Sequence, residues 1–261
     1  MSGFYKKYGL VAAGIFAGLT VSISASAEPV SSHNWQGLYG GLALGGAYGK
    51  ASPDSTLTAG NPTYITPANT PLVNNALQKD IDGTDLTGSA LFGYNVQKDN
   101  MVYGIEADLT VMNFSESAHH EAAYTASANR FFVDTELETK FAFSIRPKIG
   151  YSFGNAMVHI AAGPAISRFK YNSRFSDTTA NNPNASFSDT KTVLGASSNI
   201  GVNYAFAEGW ALRGDYVFNY FPNAVDTSST LVATGAANNN PINHETDFMS
   251  HNIRVGLIKQ F

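Results

Sequence analysis

The stretch that decides the fold is Ser250-His251-Asn252-Ile253-Arg254-Val255-Gly256-Leu257-Ile258-Lys259-Gln260-Phe261. Apolar and polar residues alternate along it with the period of two that a β-strand produces. The apolar face consists of Ile253, Val255, Leu257 and Phe261. The opposite face is polar and includes Arg254. Because a strand between lipid and a polar interior alternates in this way, the segment predicts a membrane-spanning β-barrel that closes with this strand.

The first residues have the pattern of a secretory signal peptide. Lys6-Lys7 precedes an apolar stretch over about residues 8–23, and Ala25-Ser26-Ala27 supplies the small residues of a cleavage site. A membrane anchor helix is the alternative, but the stretch is short for a helical span and is interrupted by glycines. We predict a signal peptide over residues 1–27 and a barrel domain over residues 28–261.

The composition narrows the class of protein. The chain has no cysteine, so no disulfide framework holds it together. Only 14% of its residues are charged, against about 25% in an average soluble domain. Its 24 glycines, 13 tyrosines and 17 phenylalanines suit the short alternating strands of a barrel. The net charge of −4 argues against a nucleic-acid partner, which requires a basic face.

The spacing of the alternating segments predicts the topology. Eight candidate strands lie at about 35–49, 83–97, 102–114, 137–151, 156–171, 190–206, 210–220 and 244–261. The tight connections are Lys98-Asp99-Asn100, Ser152-Phe153-Gly154-Asn155 and Ala207-Glu208-Gly209. The long connections are about 50–82, 115–136, 172–189 and 221–243. Alternating short and long connections predict an all-β fold, an eight-stranded antiparallel up-and-down transmembrane β-barrel with short periplasmic turns and long extracellular loops. A soluble exported barrel is the alternative fold.

The polar faces of the predicted strands carry charges of both signs. The candidate lumen residues are Glu106, Asp108, Arg146, Lys148, Arg213, Asp215 and Arg254. Lys140 shares the polar parity of the fourth strand. Eight strands enclose an interior just wide enough for side chains, so these four cations and three carboxylates would crowd together and pair. Two interpretations follow, a structural plug of ion pairs, which we favour, and a gated pore lined by them.

Aromatic residues and prolines mark the edges and irregularities of the predicted strands. The candidates for interfacial aromatic belts are Trp35, Tyr94, Tyr151, Tyr204 and Trp210. Pro147 and Pro164 fall inside strands, although proline cannot donate to a ladder. We therefore expect a bulge or a local distortion near each of these prolines.

Several segments, taken in order, resemble one protein family. They are Trp35–Leu42, Gly93–Val96 with Tyr103–Asp108, Arg146–Gly154, Gly201–Phe206 with Trp210–Tyr216, and Arg254–Leu257 with Phe261. They resemble the motifs of the small outer-membrane β-barrel surface antigens of alphaproteobacteria, a family related to the transmembrane barrel of outer membrane protein A. The resemblance implies insertion by the outer-membrane assembly machinery, which reads the last strand. Ile253, Val255, Leu257 and Phe261 would then form the assembly signal.

The sequence departs from the motifs of this family at two positions. Lys259 stands where the family usually has an aromatic residue, and two consequences are open: its side chain snorkels to the periplasmic headgroups, or it weakens the assembly signal. Asn203 stands where an acidic residue is common, which removes one lumen charge.

The function predicted from the sequence is a structural or surface-interaction role in the cell outer membrane. The predicted loops are polar and mostly uncharged, and they would serve as the contact surface. The alternatives are a small porin-like diffusion channel, a lipid-modifying enzyme and a haem binder. His119-His120-Glu121, in the second long connection, is the candidate ligand group, but adjacent histidines point in different directions and no further ligand has metal spacing. We predict no catalytic site, metal or cofactor.

The predicted partners follow from the same location. They are outer-membrane lipid and lipopolysaccharide, the outer-membrane assembly machinery, and host or phage surfaces.

Overall fold

The computed structural model describes residues 33–60, 63–180, 184–232 and 239–261, so the predicted signal peptide lies outside the described residues. The strands are β1 (Gly37–Pro53), β2 (Thr56–Leu57), β3 (Ile81–Lys98), β4 (Met101–Ala123), β5 (Arg130–Phe153), β6 (Ala156–Asp177), β7 (Asn184–Ala207), β8 (Trp210–Val232) and β9 (Asn239–Gln260). One short helix, α1 (Thr70–Leu77), lies between β2 and β3.

The nine strands form one antiparallel sheet that closes on itself. Each long strand pairs with the next along the chain, and β1 pairs with both β3 and β9. The two-residue strand β2 extends the pairing of β9 beyond the end of β1. Eight long strands therefore make the wall, and the predicted up-and-down barrel is confirmed. No helix within the described ranges is long and apolar enough to cross a membrane.

Three two-residue turns lie at one end of the barrel, which we call the short-turn end. They are Asp99-Asn100, Gly154-Asn155 and Glu208-Gly209, at the positions that the sequence predicts. Asp99, Gly154 and Gly209 have φ values of 52°, 60° and 67°. A positive φ matches the twist of the turn to the twist of its two strands, which is why such tight hairpins form here.

At the other end, which we call the loop end, the strands run further than the sequence predicts. Much of the predicted loops 115–136, 172–189 and 221–243 is strand, because β4 continues to Ala123 and β5 begins at Arg130. The reason is an inversion of polarity. On β6, Val158 and Ile160 face outward near the turns, whereas further along Phe169 faces inward and Lys170 faces outward. The strand is continuous, but its apolar face changes from the outside to the inside.

The predicted position of Lys140 on the lumen side is wrong because a β-bulge turns its side chain outward. The register of β5 against β6 shifts between Thr139 and Ala142, and β4 shifts against β5 between Val111 and Phe114. Because one extra residue reverses the alternation, Lys140 lies on the exposed outer face rather than on the lumen side with Arg146.

Both prolines lie at the seam between β5 and β6. The pairing there runs to Ser144 opposite Ala165 and resumes at Lys148 opposite Ala161, so Pro147 and Pro164 fall in the interval. The backbones approach closely in this interval, because a Cβ added to Gly163 would clash with the carbonyl oxygen of Ile145. The expected local distortion is present, and the register on either side of it is unchanged.

The outer face carries a band of exposed apolar side chains toward the short-turn end. On β4 the band runs from Tyr103 to Val111, about the length that a transmembrane β-strand needs. Tyr94, Tyr151, Tyr204 and Trp210 are exposed on this face, as an aromatic belt requires. Trp35 is the exception, because it is 3% exposed and packs inside the barrel.

Candidate functional site

The interior of the barrel holds all seven predicted lumen charges, and each is almost fully buried. Glu106 and Asp108 extend from β4, Arg146 and Lys148 from β5, Arg213 and Asp215 from β8, and Arg254 from β9. In the closed ring of eight long strands, β4 and β8 stand opposite each other. Contacts between these two strands therefore span the full width of the lumen.

Glu106 lies at the centre of the charged layer. The Arg213 guanidinium donates to both carboxylate oxygens, with Nη1–Oε2 at 2.6 Å and Nη2–Oε1 at 2.9 Å. Arg146 Nη2 lies 3.0 Å from Oε1, and Lys148 Nζ lies 3.7 Å from Oε2. The Tyr39 hydroxyl donates to Oε2 at 2.8 Å. The fork of Arg213 fits a carboxylate in two places at once, which makes this bridge across the lumen strong and directional.

The other two carboxylates extend the network sideways. Asp108 accepts from Arg254 at 2.5 Å and forms an ion pair with Arg146 at 3.1 Å. Asp215 accepts from Arg213 Nε at 2.6 Å and from Arg254 Nε at 3.2 Å. Each carboxylate thus contacts two or more cations, which is the condition under which buried charges are tolerated.

Neutral side chains complete this layer, and the sequence did not single out most of them. His159 Nε2 lies 3.4 Å from Asp215 Oδ1, and Asn199 donates to the same oxygen at 3.3 Å. Arg146 Nη1 donates to Ser197 at 3.1 Å, and Lys148 donates to the Tyr39 hydroxyl at 2.5 Å. Together with the charges, these residues come from seven of the eight long strands. A test of interior parity on every strand would have found them.

An apolar cluster lies inside the barrel at the short-turn end. Its buried residues are Trp35, Tyr39, Leu91, Val102, Met157, Ala205, Ala211 and Ile258. The residues before β1 are tied to the wall: Trp35 N donates to Gln97 at 2.7 Å, and Asn95 donates to the Trp35 carbonyl at 3.1 Å. Gln260 donates to the carbonyl of Gln36 at 2.7 Å. These contacts fix the backbone of the segment that carries the buried Trp35 side chain.

A second apolar cluster lies on the other side of the charged layer. Phe248 packs against Phe114 and Phe169 with ring centroids 5.2 Å apart, and Phe169 packs against Phe221 at 5.3 Å. These rings are buried together with Leu137 and other apolar side chains. Of these rings, Phe221 lies in a segment that the sequence analysis assigned to a loop, whereas Phe114, Phe169 and Phe248 lie inside predicted strands.

The segment between β1 and β3 fills the loop end of the barrel. Leu57, Ile65, Val73, Ala76 and Leu77 are buried against side chains of the wall. The β4–β5 connection contributes Tyr124, and the wall contributes Phe131, Val133, Phe175, Leu231 and Ile242. We call residues 54–80 the plug segment, leaving aside residues 61 and 62, which the structure does not describe. The sequence predicts a polar contact loop here, but the segment is anchored because its apolar side chains point into the barrel.

Two polar residues of the wall fasten the plug segment. Asn240 accepts from the backbone N–H groups of Tyr64 and Ile65 at 3.0 and 2.9 Å, and it donates to the Thr58 carbonyl at 2.9 Å. Asp177 accepts from the hydroxyls of Tyr64 and Tyr124 at 2.7 and 2.8 Å. Burial, together with the Asp177 carboxylate, raises the pKa of Tyr64 to about 12, so the hydroxyl remains a donor at neutral pH.

The histidine pair that was the candidate metal or haem group is divided between the two faces of β4. His119 is exposed on the outside, where its ring contacts Asp134 at 2.5 Å. This hydrogen bond raises the pKa of His119 above its ordinary value. His120 lies on the inward face, near the ring of Phe131. Within the described ranges, no three His, Cys, Asp or Glu side chains are placed to hold a metal ion.

Three residues of the predicted assembly signal lie on the outer face of β9, and the fourth, Phe261, directly follows the strand. Ile253, Val255, Leu257 and Phe261 are all exposed. Lys259 reaches toward the short-turn end, where Nζ lies 3.3 Å from the Glu208 carbonyl oxygen. The same ammonium lies 5.3 Å from the centroid of the Trp210 ring. This path along an aromatic ring toward the end of the barrel is the one that a snorkelling lysine takes.

Several outer-membrane proteins are similar to this chain in sequence. The 25 kDa outer-membrane immunogenic protein of Brucella ovis is 24% identical over 213 residues, which cover 82% of this chain and 83% of that protein. The 31 kDa outer-membrane immunogenic protein of Brucella melitensis is 24% identical over 241 residues, which cover 90% of this chain and 88% of that protein.

Solved barrels are similar at lower identity. Neisserial surface protein A is 12% identical with a TM-score of 0.35, and the match covers 87% of this chain and 98% of that one. The outer membrane protease OmpT of Escherichia coli is 8% identical with a TM-score of 0.46, covering 86% of this chain and 97% of that one. The family model described as the outer membrane protein beta-barrel domain matches residues 16–257. The predicted location is therefore confirmed, and this chain belongs to the outer-membrane protein β-barrel domain family.

Proposed function

We propose that this protein is a closed outer-membrane barrel with a structural or surface-interaction role, and that its lumen does not conduct solutes. The observation that carries the proposal is the two-pronged Arg213–Glu106 bridge between opposite walls. Both side chains are at most 1% exposed, so water does not reach the bridge from either end. A diffusion channel needs a continuous water path, and a buried bridge between opposite walls supports the proposal that this layer interrupts the path.

Apolar clusters on both sides of the bridge support the same proposal. Trp35 and its neighbours lie toward the periplasmic, short-turn end, and the phenylalanine cluster lies toward the extracellular, loop end. A water column would have to pass all three layers in series. The second candidate function is the porin-like channel. It requires that the charged layer open to let water through.

The surface role rests on the relatives and on the shape of the extracellular end. The two Brucella relatives are named as immunogenic proteins of the outer membrane. In this chain the extracellular end is an extended and filled barrel, so we propose that host, phage or antibody contacts meet a firm surface of hairpin ends. The proposal also assigns insertion to the outer-membrane assembly machinery and gives the barrel no enzymatic or haem-binding activity.

Planar-bilayer recording tests the closed lumen. The protein is purified from outer membranes of a Gram-negative expression host, its folded state is checked by a heat-dependent gel shift, and a general porin is recorded in parallel as the control. We expect no reproducible conductance steps from the folded protein. Steady unit steps that scale with the amount of folded protein would replace the proposal by the porin-like channel.

A further inference from the structure

Two exposed cations stand side by side on the outer wall, just above the apolar band. Lys140 on β5 and Arg168 on β6 both lie on the outer face. The β5–β6 pairing passes from Thr139 opposite Phe169 to Ala142 opposite Ser167. Two residues of β5, one of them Lys140, therefore oppose the single residue Arg168.

The bulge at this point decides that Lys140 faces outward. Toward the periplasm the even-numbered residues of β5, such as Arg146, face the lumen, and without the extra residue Lys140 would do the same. Its inward position would be among the phenylalanine rings of the lumen. Bulges often re-aim one side chain at a functional place, and here the result is an ammonium group beside a guanidinium.

Lys140 and Arg168 lack the carboxylate partner that the neighbouring Lys170 has, and Arg174, further along β6, makes no ion pair among the described residues either. Lys170, one row further from the membrane, pairs with Glu138 at 3.0 Å, and Arg130 pairs with Glu121. On the opposite wall, Lys50 pairs with Asp80 at 2.7 Å. Among the described residues, no carboxylate lies within 4.0 Å of Lys140 or Arg168.

Apolar side chains lie directly below the cations on the same face. Ile166 precedes Arg168 by two residues on β6, and Leu194 on β7 is 69% exposed to the bilayer side. Thr192 stands opposite Arg168 in the β6–β7 register and adds an exposed hydroxyl. The wall therefore presents cations and a hydroxyl above a lipid-facing apolar strip. This arrangement matches a lipid molecule, whose charged headgroup lies above its apolar chains.

We propose that Lys140 and Arg168 bind the phosphate group of a phosphorylated lipid in the outer leaflet, with its acyl chains against Ile166 and Leu194. A guanidinium offers paired donors to phosphate oxygens, and an ammonium adds a point charge. Basic residues at the membrane surface attract anionic lipid headgroups in this manner. The phosphate is lipid-anchored because the cations lie at the edge of the apolar band. This inference depends on the membrane location and not on the closed lumen.

Native mass spectrometry with an added lipid tests the site. The full protein, purified from outer membranes in a nonionic detergent, is titrated with diphosphorylated lipid A and, separately, with its dephosphorylated form. The test variant is K140Q/R168Q. The matched control is K79Q/K98Q, which removes two exposed lysines outside the patch and changes the net charge equally. A heat-dependent gel shift establishes that each variant is folded.

We expect one lipid A molecule to bind the wild-type protein and the control with equal affinity, and the test variant about tenfold or more weakly, as the loss of two interfacial cations implies. The dephosphorylated form should bind the wild type as weakly as lipid A binds the test variant. Equal binding of lipid A by all three folded proteins would overturn the proposal. Displacement of lipid A by millimolar inorganic phosphate would overturn it too, since the site would then recognise free phosphate.

Discussion

At the scale of single residues, Glu106 is the side chain on which the charged layer depends. It accepts hydrogen bonds from Arg213, Arg146 and Tyr39, and these come from three different strands. Each of the two arginines also contacts a second carboxylate. Loss of the Glu106 charge would leave the cations of β5 and β8 facing each other in a buried layer with too few anions.

We predict that Glu106→Gln lowers the free energy of unfolding by about 3–5 kcal/mol, the usual cost of breaking a buried ion pair on one side. The amide keeps the shape of the carboxylate, so the loss reports charge rather than a cavity. Urea unfolding in detergent, followed by tryptophan fluorescence, measures the change. Asp80→Asn is the control, because it breaks the exposed pair with Lys50 and should cost no more than about 1 kcal/mol. Equal urea midpoints for Glu106→Gln and the wild type would contradict the network.

At the scale of strands and loops, the residues facing lipid were the ones readable from the sequence. Within the bilayer, apolar residues such as Ile105 point outward while Glu106 and Asp108 point inward, and the contrast predicts strand and parity together. Beyond the bilayer the exterior meets water and becomes polar, while the interior fills with rings such as Phe114. Beyond the bilayer the apolar residues therefore face inward instead of outward. The sequence pattern of a membrane strand ends at that point, although the strand itself continues.

Bulges and inward loops account for the remaining differences. The one-residue shift after Thr139 exchanges the inward and outward faces of β5. The alternation of apolar and polar residues near Lys140 does not predict this shift. The plug segment contains Val73 and Leu77 on a helix of eight residues, too short for a period to stand out. Trp35 is of the residue type that forms aromatic belts. Its place inside the barrel depends on hydrogen bonds between its backbone and the side chains of Gln97 and Asn95, which the sequence pattern does not reveal.

The anchoring of the plug segment gives a prediction for Asn240. Asn240→Ala removes the acceptor shared by the N–H groups of Tyr64 and Ile65 and the donor to Thr58. We expect faster amide hydrogen exchange over residues 63–77 and unchanged exchange in the strands of the bilayer band, because the barrel ladder does not use this side chain.

Asn172→Ala is the matched control for this prediction. Asn172 donates to Glu136 at 2.9 Å on the outer face of the wall, whereas the plug segment lies inside the barrel. It should leave exchange over residues 63–77 at the wild-type rate. Protection of the plug segment in Asn240→Ala equal to that in the wild type would show that its apolar contacts alone hold it.

At the scale of the whole molecule, the strands of the barrel are longer than the membrane is thick. Strands β4 to β9 have 22 to 24 residues each, whereas about 9–11 suffice to cross a bilayer. The outward apolar band lies nearer to the short turns, so the excess length stands on the extracellular side. In the proposed lipid contact, this placement puts Lys140 and Arg168 at the height of the outer-leaflet headgroups.

Single cysteines can measure this placement because the chain has none of its own. We predict that Ser176→Cys reacts with a membrane-impermeant maleimide on intact cells, because its side chain lies on the outer face well above the apolar band. Ile160→Cys should stay unlabelled even after the outer membrane is permeabilised, because lipid covers it. Glu208→Cys, in a short turn, should react only after permeabilisation. Labelling of Glu208→Cys on intact cells would show that the short turns face the outside of the cell. Lys140 and Arg168 would then lie at the periplasmic leaflet, and the proposed contact with a lipid of the outer leaflet would be wrong.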